Sequence, residues 1–117
     1  MPNSKLPNYL RAHRRRACLS QDEVAYLLGT KSKAAICRHE RFRQTPNLHA
    51  LLTYELLFRT PVRTLFSGVH ENVEHKLRKR ICLLLRSLLQ AKPGIKHQRK
   101  LEALKAVLGE ITSPKQA

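Results

Sequence analysis

The stretch Leu19–Pro46, LSQDEVAYLLGTKSKAAICRHERFRQTP, constrains this chain most. It reads as two short helices joined at Gly29. Ser20 is a good N-cap, and Glu23 three residues later completes a capping box. Val24, Ala25, Leu27 and Leu28 supply the buried side of the first helix, and Gly29 ends it, because a left-handed residue costs little there. The second helix starts near Ser32 and runs to about Arg41. Its apolar residues are few: Ala34, Ala35, Ile36 and Cys37. Only a narrow stripe centred on Ile36 can be buried, so most of its surface is free for other contacts.

The flanking sequence predicts more helices and no strands. β-Branched alternation is absent, and Leu, Ala, Arg and Lys dominate. A first helix is expected over Pro7–Arg16, with Leu6, Leu10 and Ala17 toward the core and Arg11, Arg15 and Arg16 outward. A further helix follows Pro46, capped by Asn47 and reaching Phe58. Leu48, Leu51, Leu52, the polar Glu55 and Leu56 show its helical spacing. Pro61 opens a short helix through Leu65, and Ser67-Gly68 makes the first clear break. Beyond it, Val69, Val73, Leu77, Ile81, Leu84 and Leu88 recur every three or four residues, the stripe of one long amphipathic helix. Lys92-Pro93-Gly94 stops that helix. Leu101, Leu104, Leu108 and Ile111 mark a last one, and the two form an antiparallel hairpin. The end of the chain, Thr112–Ala117, is expected to fray. The division is 1–68 and 69–117.

A chain of 117 residues with 42% hydrophobic content can build one compact core and little more. Its formal net charge of +15 is shared between both halves and favours a polyanionic partner. The three cysteines, Cys18, Cys37 and Cys82, are scattered and do not form a disulfide framework. With no signal-peptide core and no apolar run near the length of a membrane span, the expected location is the cytoplasm, with no membrane association.

On these residues, Leu6–Phe66 resembles the helix-turn-helix domain of the Cro and phage C1-repressor family, also called the xenobiotic-response-element family. The matching positions are Leu10 and Arg14, then Leu19-Ser20-Gln21-Asp22-Glu23-Val24-Ala25, Leu27-Leu28-Gly29, Ile36, Arg38, Glu40, Pro46, the leucines after it, and Leu65-Phe66. The resemblance implies an all-α architecture: a five-helix, lambda-repressor-like domain, here followed by the helical hairpin. It also implies an ion pair between Arg14 and Glu40, and a Gln21 that binds phosphate and buttresses a base-reading side chain. Two-fold dimers reading half-sites one helical turn apart are the usual arrangement for this motif.

The residues themselves support that transfer. A helix entering the major groove needs small side chains near the bases and donors where it reads them. Ser32, Lys33, Ala34 and Arg38 fit this need as base readers. Lys33 and Arg38 can donate to guanine O6 and N7, and Ala34 can touch a thymine methyl. Gln21, Thr30, Lys31, Arg41 and Arg43 are the expected phosphate contacts. Three departures stand out. The turn Gly29-Thr30-Lys31-Ser32 is one residue longer than in the shortest family members. Cys18 and Phe42 occupy positions where glycine is common, so those connections are either not left-handed here or strained.

The bland alternatives have their own weight. Arg15 and Arg16 taken singly read as a solvated face. The cluster Lys76, Arg78, Lys79, Arg80 is either a second phosphate-contacting surface or simply the polar side of the hairpin. The six histidines show no metal-ligand spacing with the cysteines. No metal, cofactor or catalytic residue is expected: Asp22 is the only aspartate, and neither a phosphate-cradling glycine loop nor an activated nucleophile is present. The expected function is sequence-specific DNA binding by a transcriptional regulator, a repressor acting on double-stranded DNA as a homodimer through the hairpin. The alternatives are an antitoxin-type module whose hairpin holds a protein partner, and a non-specific nucleic-acid binder.

Overall fold

The computed structural model describes residues 6–112, and these are helical with no strand. Seven helices follow in order: α1 Leu10–Arg16, α2 Gln21–Leu28, α3 Lys33–Glu40, α4 Leu48–Phe58, α5 Val62–Leu65, α6 Ser67–Leu88 and α7 Ile95–Thr112. The chain divides into two compact units between His70 and Glu71. Among the described residues no helix is long and apolar enough to cross a membrane. The expected fraying falls mostly on 113–117, which lie outside the described residues.

The core of the first unit is Leu10, Val24, Ala25, Ile36, Tyr54, Leu65 and Phe66. Its helix starts follow the capping signals. Ser20 Oγ accepts from the Glu23 amide at 3.0 Å, and Glu23 Oε1 accepts from the Ser20 amide at 2.8 Å, so the capping box is complete. Ser32 Oγ accepts from Ala34 N–H, and Asn47 Oδ1 from Ala50 N–H.

The helix ends are more uniform than their residues suggest. α1, α2, α3 and α4 all close with a left-handed residue, followed by an amide that reaches back five positions: Leu19 to Arg14, Thr30 to Ala25, Arg43 to Arg38 and Thr60 to Glu55. The left-handed residues are Cys18 (φ 60°), Gly29 (φ 79°), Phe42 (φ 54°) and Arg59 (φ 52°). Of the two options left open for Cys18 and Phe42, strain is therefore the one realised, at about 1 kcal/mol per residue. Cys18 and Arg59 are exposed and have little packing to lose. Cys18→Gly and Arg59→Gly are each expected to stabilise the protein by about 0.5–1 kcal/mol. Urea denaturation checks this: a lowered midpoint for both would show that strain is not what these residues cost.

Four expectations are corrected, the last of them in α4. α1 begins at Leu10, not Pro7. The residues ahead of it are held in a non-helical path, with Tyr9 N–H donating to the Leu65 carbonyl at 2.7 Å and Asn8 Oδ1 accepting from Leu10 N–H at 3.1 Å. Leu6 and Ala17, expected inside, are exposed, as is Leu27. Ser67-Gly68 is no break, because α6 starts there. Gly68 N–H donates to the Leu6 carbonyl, which supplies an acceptor that a first helical turn lacks.

α4 turns differently from the predicted spacing. Leu48, Leu52 and Leu56 face solvent, with Leu56 78% exposed, whereas Tyr54 is buried and Leu51, Leu57 and Phe58 pack around the core. The helix is apolar on all sides, so leucine spacing alone does not fix which side turns inward. The side that turns inward is the one carrying the Tyr54 ring, whose hydroxyl meets a buried partner described below.

In the second unit α6 and α7 run antiparallel across the turn at 89–94. Arg78 Nη2 donates to the Ile111 carbonyl at 3.2 Å, and Ile81 and Leu101 are the buried apolar residues. A cation at the C-terminal end of α7 also suits the helix dipole.

Candidate nucleic-acid interface

α3 is held from one side only. Ile36 and His39 are its buried residues, and Lys33, Ala34 and Arg38 are exposed. His39 was not singled out from the sequence, yet it anchors the helix. Its Nδ1 lies 2.8 Å from the Tyr54 hydroxyl, its ring meets Tyr54 edge-on at 5.8 Å, and its carbonyl accepts from Asn8 Nδ2 at 3.0 Å. Burial, reinforced by the neighbouring Arg38 charge, lowers the His39 pKa, which keeps the ring neutral at neutral pH. Burial, followed by the Glu40 charge, raises that of Tyr54, so the phenol stays protonated.

Glu40 is the second anchor. Arg14 Nε donates to its Oε2 at 2.5 Å, while Arg14 Nη2 (3.3 Å) and Gln21 Nε2 (3.1 Å) both donate to its Oε1. Arg14 Nη1 also donates to the Leu19 carbonyl at 3.0 Å. The side chains of Arg14 and Glu40 are 12% and 4% exposed, so this is a nearly dry ion pair tying α1, the start of α2 and the end of α3 together. The pair expected from the family resemblance is formed.

The connection from α2 to α3 is closed by its own polar groups. Thr30 Oγ1 donates to the Ser32 carbonyl at 3.1 Å, and Ser32 Oγ caps α3. Both hydroxyls expected at the interface are thus engaged in building the turn. Lys31, Arg41 and Arg43 are exposed. Gln21 is half-buried, and its amide is turned to Glu40 rather than to a base-reading side chain.

A cleft of about 450 Å³ opens between α1, the start of α2 and α3. It is lined by Arg11, Gln21, Lys33, Cys37 and Arg41 over the Arg14–Glu40 pair, with Asp22 at its edge. Its four cations outnumber its two carboxylates, one of which is already paired. The first-turn amides of α2 have no acceptor within the helix, which adds to the positive potential. Arg11 and Cys37 were not picked out from the sequence. The available signal was helical spacing: Arg11 is three residues from Arg14, and Lys33, Cys37 and Arg41 are spaced by four.

Among the described residues no group of three or more His, Cys, Asp or Glu is placed to hold a metal ion. No family model matches the sequence, and no characterised protein or solved structure compared with it is significantly similar.

Proposed function

We propose that this chain is a sequence-specific DNA-binding transcriptional regulator of the Cro/C1 helix-turn-helix type, a repressor without catalytic activity. In this reading residues 10–66 form the five-helix, lambda-repressor-like domain and α3 enters the major groove. The observation that carries it is the free face of α3. Lys33, Ala34 and Arg38 project from a helix anchored on its other side by Ile36, His39 and Glu40, next to a cationic cleft. A rigid helix with short and cationic exposed side chains suits a groove about 12 Å wide. Lys31, Arg41 and Arg43 then contact phosphates, joined by Arg11, while Gln21 and Thr30 contribute mainly through the geometry they hold.

Selection of bound sequences from a random DNA pool tests this. A pair of related half-sites about one helical turn apart is expected; recovery of no preferred sequence would sink the proposal. On a selected site, Arg38→Ala is expected to cost about 1–3 kcal/mol, with little change on random DNA. Arg43→Ala is expected to weaken all sequences alike. Equal losses for both variants on both DNAs would remove base reading from Arg38.

The hairpin is proposed to pair two copies of the chain. α6 leaves Val73, Leu77 and Leu84 exposed, so its apolar stripe has capacity beyond α7. The same exposure favours a second reading, in which an antitoxin-type protein holds a partner there. Sedimentation of the purified chain at micromolar concentration separates the two: a dimer supports self-association, and a monomer supports the partner.

A further inference from the structure

Gln44 lies beyond the end of α3, but it is attached to the last turn of that helix. Its amide N–H and that of Arg43 both donate to the Arg38 carbonyl, at 3.3 and 2.8 Å. Its side-chain Oε1 accepts from Arg38 Nε at 2.8 Å. A guanidinium only donates, so the amide oxygen must face it, and the Gln44 NH2 points elsewhere. The left-handed Phe42 (φ 54°) turns the chain back and brings Gln44 over Arg38.

We propose that Gln44 is a positioning residue that sets the base preference of α3, by presenting the Arg38 guanidinium end-on to a guanine. The inference rests on the DNA-reading function proposed above. With Nε–H engaged by Gln44, the donors left to Arg38 are Nη1 and Nη2. That pair is the edge that meets guanine O6 and N7 simultaneously. An exposed arginine otherwise samples many rotamers, and fixing it on binding costs side-chain entropy. Gln44 removes part of that cost before DNA arrives. The buttressing role that the family resemblance assigns to Gln21 is thus filled from the opposite end of α3, because the Gln21 amide is committed to Glu40. The left-handed turn at Phe42 gains a purpose in the same step, since a right-handed residue there would carry Gln44 away.

The test uses the full chain and four variants: Gln44→Met, which keeps length but loses the acceptor; Gln44→Glu, which keeps an acceptor; Arg38→Ala; and the Arg38→Ala/Gln44→Met double variant. The readout is the ratio of affinities for a selected site and for the same site with its Arg38-dependent G·C pair exchanged. The ratio is expected to be about tenfold or more in the starting protein. It should fall roughly fivefold in Gln44→Met and be retained in Gln44→Glu, even if the added charge weakens both sites. Arg38→Ala should lose the ratio, and adding Gln44→Met should change nothing further. In the free protein, the Arg38 Nε–H signal should exchange with water several-fold faster in Gln44→Met than in Gln44→Glu. An unchanged ratio in Gln44→Met, equal weakening of all sequences, or a further loss in the Arg38→Ala background would each overturn the role of Gln44. The starting protein selecting no sequence at all would instead bring down the DNA-reading function, and this inference with it.

Discussion

Glu40→Ala is expected to destabilise the protein by about 3–5 kcal/mol. The carboxylate is nearly dry and accepts three hydrogen bonds, two from Arg14 and one from Gln21. Its removal leaves the Arg14 guanidinium, only 12% exposed at the floor of the cleft, with the Leu19 carbonyl as its remaining protein partner. That orphaned charge, more than the lost attraction, sets the size of the effect. For a unit of this size the melting temperature should fall by roughly 15 °C or more. Replacing both partners, as Arg14→Met/Glu40→Leu, should recover most of the loss, because well-packed apolar groups carry no desolvation penalty. Thermal unfolding followed by circular dichroism measures both. A loss below about 1 kcal/mol for Glu40→Ala would mean that the pair behaves as a solvated surface bridge.

Tyr54→Ala is expected to cost about as much, by a different route. Its side chain is among the largest that are fully buried, and an aromatic-to-alanine change in a core costs about 3–5 kcal/mol. The truncation also removes the stacked neighbour of Phe58, at 6.1 Å, and the hydroxyl partner of His39. Tyr54→Phe separates the two contributions. It keeps the ring and leaves only the His39 nitrogen unpartnered, at about 1–3 kcal/mol. Chemical denaturation of the two variants should therefore give clearly different midpoints. Similar midpoints would place nearly all of the effect in the hydrogen bond and very little in packing.

Helix existence and most helix starts were legible because their causes are local. Ser20, Ser32 and Asn47 cap the elements they precede, and Lys92-Pro93-Gly94 separates the last two helices. The misreadings arose where a distant residue supplied the missing partner. Pro7 did not start α1 because Leu65 and Asn8 took the amides of Tyr9 and Leu10. Ser67-Gly68 did not break the chain because the Leu6 carbonyl accepted the Gly68 amide. α4 could not be oriented from its leucines, because the side chain it buries most deeply is Tyr54, whose ring fills the core and whose hydroxyl pairs with His39, fifteen residues earlier. The candidate site divides in the same way. Exposure of Lys33, Ala34 and Arg38 follows from the thin apolar stripe of α3. The occupation of Gln21 and Thr30 by internal hydrogen bonds, and of Arg38 by Gln44, depends on side-chain geometry that periodicity does not encode.

The one-sided anchoring of α3 separates two kinds of change. Ile36, His39 and Glu40 carry its attachment to the rest of the unit, while Lys33, Ala34 and Arg38 are exposed. Exposed substitutions away from such anchors usually alter stability by no more than about 0.5 kcal/mol. The outer face of α3 can therefore be rewritten almost independently of the fold that holds it. If α3 reads DNA as proposed, exchanges on its outer face and at Gln44 would change what it reads without first raising the stability of the scaffold.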